Sequence, residues 1–155
     1  MGKVALGKPV PQFALPSTSG ETWTLAGAAG SKLVVYFYPK DMTSGCTLES
    51  QGFRDRYAAF RRANTAIVGI SRDGLPSHQK FRAKERLPFE LLADEDEKVC
   101  KLFDVIREKS LYGRKYLGIE RSTFLIDGAG VLRGEWRKVK VQGHAEEVLE
   151  AAKSL

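Results

Sequence analysis

The chain has 155 residues, 43% hydrophobic and 28% charged, with 15 Gly and 6 Pro, a near-average globular composition that excludes disordered, collagen-like and membrane-spanning classes. The length suits one domain over residues 1–155 with a core able to fold without disulfide staples. Lys and Arg outnumber Asp and Glu by 25 to 19, a net charge of +6, but the signs are interleaved, which describes a solvated surface and leaves nucleic acid and membrane as unexpected partners.

Residues 8–24 alternate Pro, apolar and small polar residues and predict short extended pieces turning at Ser19-Gly20, followed by a flexible loop over 26–31. Residues 33–38 (LVVYFY) are apolar, β-branched or aromatic throughout, the pattern of a strand buried on both faces, ended by Pro39. From Ser44 to about Arg62 the pattern is helical, with Cys46, Phe53, Tyr57 and Phe60 on one face. Residues 65–71 predict a second buried strand, 72–74 a turn, and 75–86 a second helix with Asp73 or Ser77 as its cap. A short strand over 88–92 and a helix over 94–103, led by acids, follow. Residues 122–127 and 131–137 flank Gly128-Ala129-Gly130 as a β-hairpin, with 137–140 continuing as an exposed strand face. A last amphipathic helix over 143–153 turns Val148, Leu149 and Ala152 inward. The order β-α-β-α-β-α-β-β-α predicts an α/β fold: a thioredoxin-like three-layer α/β/α sandwich whose mixed central sheet is parallel at the crossovers and antiparallel at the hairpin.

Two cysteines, Cys46 and Cys100, make no disulfide framework and fit a reducing compartment. The N-terminal stretch does not read as a secretory signal, and Leu6 stands where myristoylation of Gly2 wants Ser or Thr, so a cytoplasmic location is expected. Cys46 falls in the first turn of the helix after the first buried strand, beyond a strand carboxyl end, where α/β sheets bind ligands. With Thr43 as N-cap, Cys46 is the third helical residue, and the Thr43 hydroxyl is expected to reach the Cys46 amide. The helix dipole there favours a thiolate, the nucleophilic form. Burial on the apolar face opposes it, so a reactive Cys46 needs a cation, best an Arg, from elsewhere in the chain.

Pro39-x-x-x-Thr43-x-x-Cys46 resembles the active-site signature of the peroxiredoxins, closest to the bacterioferritin-comigratory-protein (PrxQ-like) branch. Ile119 to Asp127 is similar to the strand carrying that family's active-site Arg, and Lys109 to Gly113, Pro88-Phe89 and Trp136 to Val148 also fit, so the resemblance runs from about residue 7 to the end. It implies a thiol peroxidase in which Cys46 attacks a peroxide and becomes a sulfenic acid. Thr43 and the Cys46 amide bind the peroxide, Arg121 stabilises the charge, Pro39 shields the sulfur, and Glu49 orients the Arg network. It also implies hydrogen peroxide and organic hydroperoxides as substrates, and a monomer or weak homodimer.

Two departures stand out. Ser44 replaces a Pro common in the branch, and the resolving cysteine is missing, with Gln51 at one of its usual places and no Cys over 75–86. The chain therefore resembles a one-cysteine member recycled by an external thiol: glutathione, glutaredoxin or thioredoxin. Cys100 reads as a small buried hydrophobe, with a resolving role or an intermolecular disulfide as alternatives. His78 and His144 are isolated and expected as surface or capping residues, and Trp23 and Trp136 as packing residues. The scattered His and Cys make no zinc site and no phosphate loop is present, so neither metal nor cofactor is expected. The rival functions are a redox sensor or holdase switched by Cys46 oxidation, and a disulfide oxidoreductase, which the lack of a Cys-x-x-Cys disfavours.

Overall fold

The structure is a computed structural model that describes residues 3–155, so the Gly2 reading lies outside the described residues. The strands in chain order are β1 (Ala14–Pro16), β2 (Thr22–Thr24), β3 (Lys32–Phe37), β4 (Thr65–Ser71), β5 (Glu90–Ala93), β6 (Ile106–Leu111), β7 (Arg114–Ile119), β8 (Ser122–Ile126) and β9 (Leu132–Trp136). The helices are α1 (Ser44–Asp55), α2 (Tyr57–Arg62), α3 (Leu75–Glu85), α4 (Lys98–Leu102) and α5 (His144–Lys153).

The central sheet has the order β5-β4-β3-β8-β9. β3 pairs parallel with β4, and β4 with β5, while β8 runs antiparallel to both β3 and β9. This is the mixed sheet of the thioredoxin-like fold. Alternation along β3 splits the core in two. Leu33, Val35 and Phe37 join Val68, Phe124, Cys100 and Phe103 on one face. Val34, Tyr36 and Tyr38 join Cys46, Phe53, Phe81 and Val148 on the other. Helices α1, α2, α3 and α5 cover the second face; α4 and the N-terminal segment with β1 and β2 cover the first.

Several expectations need correction. The helix over 44–62 is two helices, because Arg56 (φ −108°, ψ 8°) leaves helical geometry between Asp55 and Tyr57. The loop over 26–31 contains a 3-10 turn, Ala26–Ala28. The helix over 94–103 shrinks to α4, since Asp94 to Glu97 form a turn in which Glu97 takes a left-handed φ of 64°. Neither Asp73 nor Ser77 caps α3; Gly74 occupies the N-cap with no side-chain bond. Residues 104–121, where the hydrophobic pattern marks no element, hold the β6–β7 hairpin, paired from Ile106↔Ile119 to Leu111↔Arg114 and turned at Tyr112-Gly113, both with positive φ. Arg137 does not continue β9 as an exposed face: its guanidinium donates to Asp104 O and Phe103 O at 2.7 and 2.8 Å and lies 5.1 Å from the Phe124 ring centroid.

Candidate active site

The carboxyl end of β3 runs through Tyr38, Pro39 and a tight turn into α1. Thr43 is the N-cap with extended backbone (φ −79°, ψ 155°), so Cys46 is the third helical residue. The Thr43 hydroxyl, however, makes no cap bond to the helix. It donates to Lys40 O at 2.8 Å, closing the turn on itself. The first-turn amides of α1 are thus left without a side-chain acceptor.

Cys46 is fully buried, packed in the cluster of Tyr36 and Phe53. Its cation comes from Arg121, between β7 and β8, 75 residues away in the chain: Nη2 donates to Cys46 Sγ at 3.5 Å and Nη1 to Glu49 Oε1 at 2.6 Å. One planar fork thus spans a thiol and a carboxylate on successive turns of α1, a geometry that complements a sulfur anion. Gly45 makes it possible, because a Cβ there would meet Arg121 Nη2 at 3.0 Å. In the sequence only its place before Cys46 marks Gly45.

Glu49 is 2% exposed and its Oε2 has no hydrogen-bond partner. Burial pushes its carboxyl up to about 7 against the opposing pull of Arg121. For Arg121, burial works against the charge, but Glu49 and Cys46 outweigh it and hold the guanidinium pKa above its ordinary value.

The turn before α1 is anchored by residues the sequence did not nominate. Asp41, 5% exposed, accepts from Tyr38 Oη at 2.6 Å and Ser77 Oγ at 2.8 Å, and pairs with His78 Nδ1 at 2.7 Å. Its backbone N–H donates to Asp73 Oδ2 at 2.9 Å. His78 was expected at the surface; it is fully buried, its Nε2–H donating to the Leu92 carbonyl at 2.9 Å. A buried imidazole demands such partners, and these tie α3 and β5 to the turn that presents Thr43. Between Asp41 and Thr43, Met42 adopts φ 65°, a left-handed conformation that an unbranched residue tolerates at a cost. Ligand atoms of Asp41, Asp73 and His78 lie within 4.8 Å of one another. All three side chains are already engaged in hydrogen bonds, which makes the group a loop anchor.

His144, expected like His78 as a surface or capping residue, opens α5 but is 4% exposed: its Nε2 lies 2.8 Å from Thr123 Oγ1, and burial lowers its pKa. Trp136 packs edge-on to it and Trp23 lies against Phe13, as packing residues. Pro39 is half-buried at the end of β3.

A family model described as AhpC/TSA family matches residues 6–134. Among curated proteins, the chain is 49% identical to a peroxiredoxin Bcp of Xanthomonas campestris over 99% of this chain and 98% of that one, and 45% identical to a peroxiredoxin Bcp of Bacillus subtilis over 98% and 97%. The chain belongs to the AhpC/TSA family, among its Bcp/PrxQ peroxiredoxins. Solved structures agree. Xanthomonas campestris peroxiredoxin Q superposes with a TM-score of 0.88 at 48% identity, covering 92% of this chain and 90% of that one. A PrxQ mutant of Xylella fastidiosa reaches 0.93 at 39%, covering 99% and 98%. Structures of the Xanthomonas campestris bacterioferritin comigratory protein described in terms of its alkyl peroxide reduction activity reach 0.87 at 48%, covering 92% and 90%.

Within that family this chain carries two cysteines, so one-cysteine does not describe its composition; what it lacks is a cysteine at Gln51 or in α3. Gln51 Nε2 instead donates to Glu85 Oε1 at 2.8 Å, holding α1 to α3. Cys100 is free and fully buried in α4, across the sheet from Cys46. Burial, then the neighbouring Asp94 carboxylate, pushes its thiol pKa far above the ordinary range. Among the described residues, no helix is long and apolar enough to cross a membrane.

Proposed function

We propose that this peroxiredoxin works by attack of the Cys46 thiolate on one oxygen of hydrogen peroxide or an organic hydroperoxide. The S–O bond forms as the O–O bond breaks, sulfur gives two electrons to the peroxide, and the departing oxygen takes a proton to leave as water or an alcohol. The Arg121 fork carries this reading, because it holds a guanidinium against sulfur and against Glu49 in a site screened from water. Charge moves from sulfur toward the leaving oxygen, and donors fixed beside that line favour the transition state over the ground state. Thr43, whose own proton is committed to Lys40 O, keeps its oxygen lone pairs for the hydroperoxide O–H. The Cys46 amide donates to the peroxide, and Pro39 covers the sulfur from solvent.

Recycling falls to an external thiol: glutathione, glutaredoxin or thioredoxin. Cys100 is a poor candidate for resolving cysteine, since it lies beyond the sheet, where burial first and the Asp94 carboxylate second keep it a thiol. Because Cys46 is itself covered, a reductant of any size requires the first turn of α1 to open.

The reading is tested by peroxide consumption with dithiothreitol as reductant. Wild type is expected to turn over and Cys46→Ser to be inactive; equal consumption by both would remove Cys46 from the chemistry.

A further inference from the structure

The leaving oxygen of the peroxide needs a proton, and the Thr43 hydroxyl has already committed its own to Lys40 O. The Arg121 fork shows where one can be kept. Its Nη2 donates to Cys46 Sγ at 3.5 Å and its Nη1 to Glu49 Oε1 at 2.6 Å, so a single cation serves two acids. Cys46 is fully buried and Glu49 is 2% exposed. Two anions on one guanidinium, away from water, leave a negative charge without a partner, and buried acids avoid that by keeping a proton. The sulfur must be the anion when it attacks, so at that stage the proton belongs to the carboxyl.

Glu49 has an atom to carry it. Oε1 is taken by Nη1, while Oε2 is buried with no hydrogen-bond partner. A proton on Oε2 leaves the Oε1 bond intact and turns an unpartnered anionic oxygen into an uncharged hydroxyl, which loses less on burial. The rise of the Glu49 pKa to about 7, caused by burial and opposed by Arg121, points the same way. A thiolate on the same fork raises it further. The other titratable groups around the fork are engaged or uncharged. Tyr36 on β3 is a phenol bonded with Ser50, its pKa pushed well up by burial first. His144 on α5 is buried with its pKa lowered, so it is neutral at neutral pH. Asp41 is closed in its network with Tyr38, Ser77 and His78. Lys109 on β6, its pKa lowered by burial first, bonds to neither acid among the described residues.

We propose that Glu49 stores the proton for the leaving oxygen: Cys46 and Glu49 hold one proton between them, on the carboxyl while the sulfur is a thiolate, and give it up when the sulfur loses its charge. The proposal rests on the peroxidase reading and adds to it the source of the proton. Cys46–S⁻, Glu49–COOH and ROOH give Cys46–SOH, Glu49–COO⁻ and ROH. Sulfur is oxidised by two electrons, the O–O bond is reduced, and the charge on the pair passes from sulfur to carboxylate. Arg121 keeps one anion beside it throughout, so the buried site never has to accommodate a change in net charge.

The test follows the full-length protein by infrared difference spectroscopy at about pH 8, above the value of about 7 that burial gives Glu49. One equivalent of hydrogen peroxide is expected to remove the C=O stretch of a protonated carboxyl from wild type and to add the bands of an ionised carboxylate. Glu49→Gln, whose amide oxygen can still accept from Nη1, should show no such loss. Cys46→Ser, with no second acid on the fork, should largely lack the carboxyl band before peroxide is added, and this comparison stands even where Glu49→Gln does not fold. Proton uptake on oxidation, read by an indicator dye in weak buffer, is the second measure: none for wild type and one proton per sulfur for Glu49→Gln. The proposal is overturned by a wild type that loses no carboxyl band, by the same loss in Glu49→Gln, or by a wild type that takes up one proton per sulfur. Failure of wild type to consume peroxide with dithiothreitol would instead sink the peroxidase reading, so the two failures are distinct.

Discussion

Cys46 and Cys100 occupy the same kind of place and are opposites. Each is fully buried, one in each half of the core, and each is the third residue of a helix. At α4 the Asp94 carboxylate accepts from the Val99 and Cys100 amides at 3.2 and 2.7 Å, so the helix end is already satisfied and an anion sits beside the sulfur. At α1 the cap hydroxyl turns away to Lys40 and a guanidinium reaches the sulfur from across the fold. The lesson is that a helix N-terminus does not make a cysteine reactive. The charge brought to it by a distant segment decides, and so does whether the helix amides are left open.

Removing the cation should break the contrast most severely. Arg121→Ala leaves Cys46 buried with no partner and Glu49 with none, so the Cys46 pocket comes to resemble that of Cys100. The second-order rate with hydrogen peroxide, followed by stopped flow, is expected to fall about 100-fold or more, the usual loss when one fixed donor is removed from a developing charge. An unchanged rate would take Arg121 out of the site.

The two pockets also differ in what they titrate. Glu49 is a buried acid raised to about 7, with one oxygen unpartnered. A raised acid stabilises the fold fully below its unfolded value, near 4.5, and that contribution is lost as pH climbs through about 7. Glu49→Gln keeps the shape and removes the titration. In chemical denaturation between pH 4.5 and 8, wild type should lose up to about 3 kcal/mol relative to the variant as pH rises. Parallel curves would mean that Glu49 titrates near its ordinary value.

Much of this contrast was legible beforehand, and the missing parts share a cause. The apolar run LVVYFY announces β3, and the alternation after Ser44 places Cys46 on an inward helix face. The need for a cation followed from burial, but Arg121 itself came only through the family resemblance, because spacing carries no information across 75 residues. The same blindness put His78 on the surface: its partner Asp41 is 37 residues away, and an isolated histidine reads as exposed until that carboxylate is found. The β6–β7 hairpin escaped for another reason. Most of its residues are exposed or half-buried, so IREKSL and RKYLGI show no apolar alternation, and the Tyr112-Gly113 turn lacks the Asn or Asp that usually flags such a hairpin. The acids over 94–97 looked like the start of a helix. They form the turn that lets Asp94 cap α4 from outside it.

The smallest effect tests the inert half of the pair. Cys100→Ala removes one sulfur from a packed cluster with Phe103 and Val105, while the Asp94 bond to the residue 100 amide survives because it is made by the backbone. The expected cost is about 1 kcal/mol in denaturant unfolding, that of a small cavity. Peroxide turnover with dithiothreitol should match wild type over repeated cycles, and no intramolecular disulfide should be found by mass spectrometry of the oxidised protein. A variant that reacts once and then stalls would show that Cys100 takes part in recycling. Its burial beyond the sheet would then demand that α4 and α1 open together, a far larger rearrangement than freeing the first turn of α1 alone.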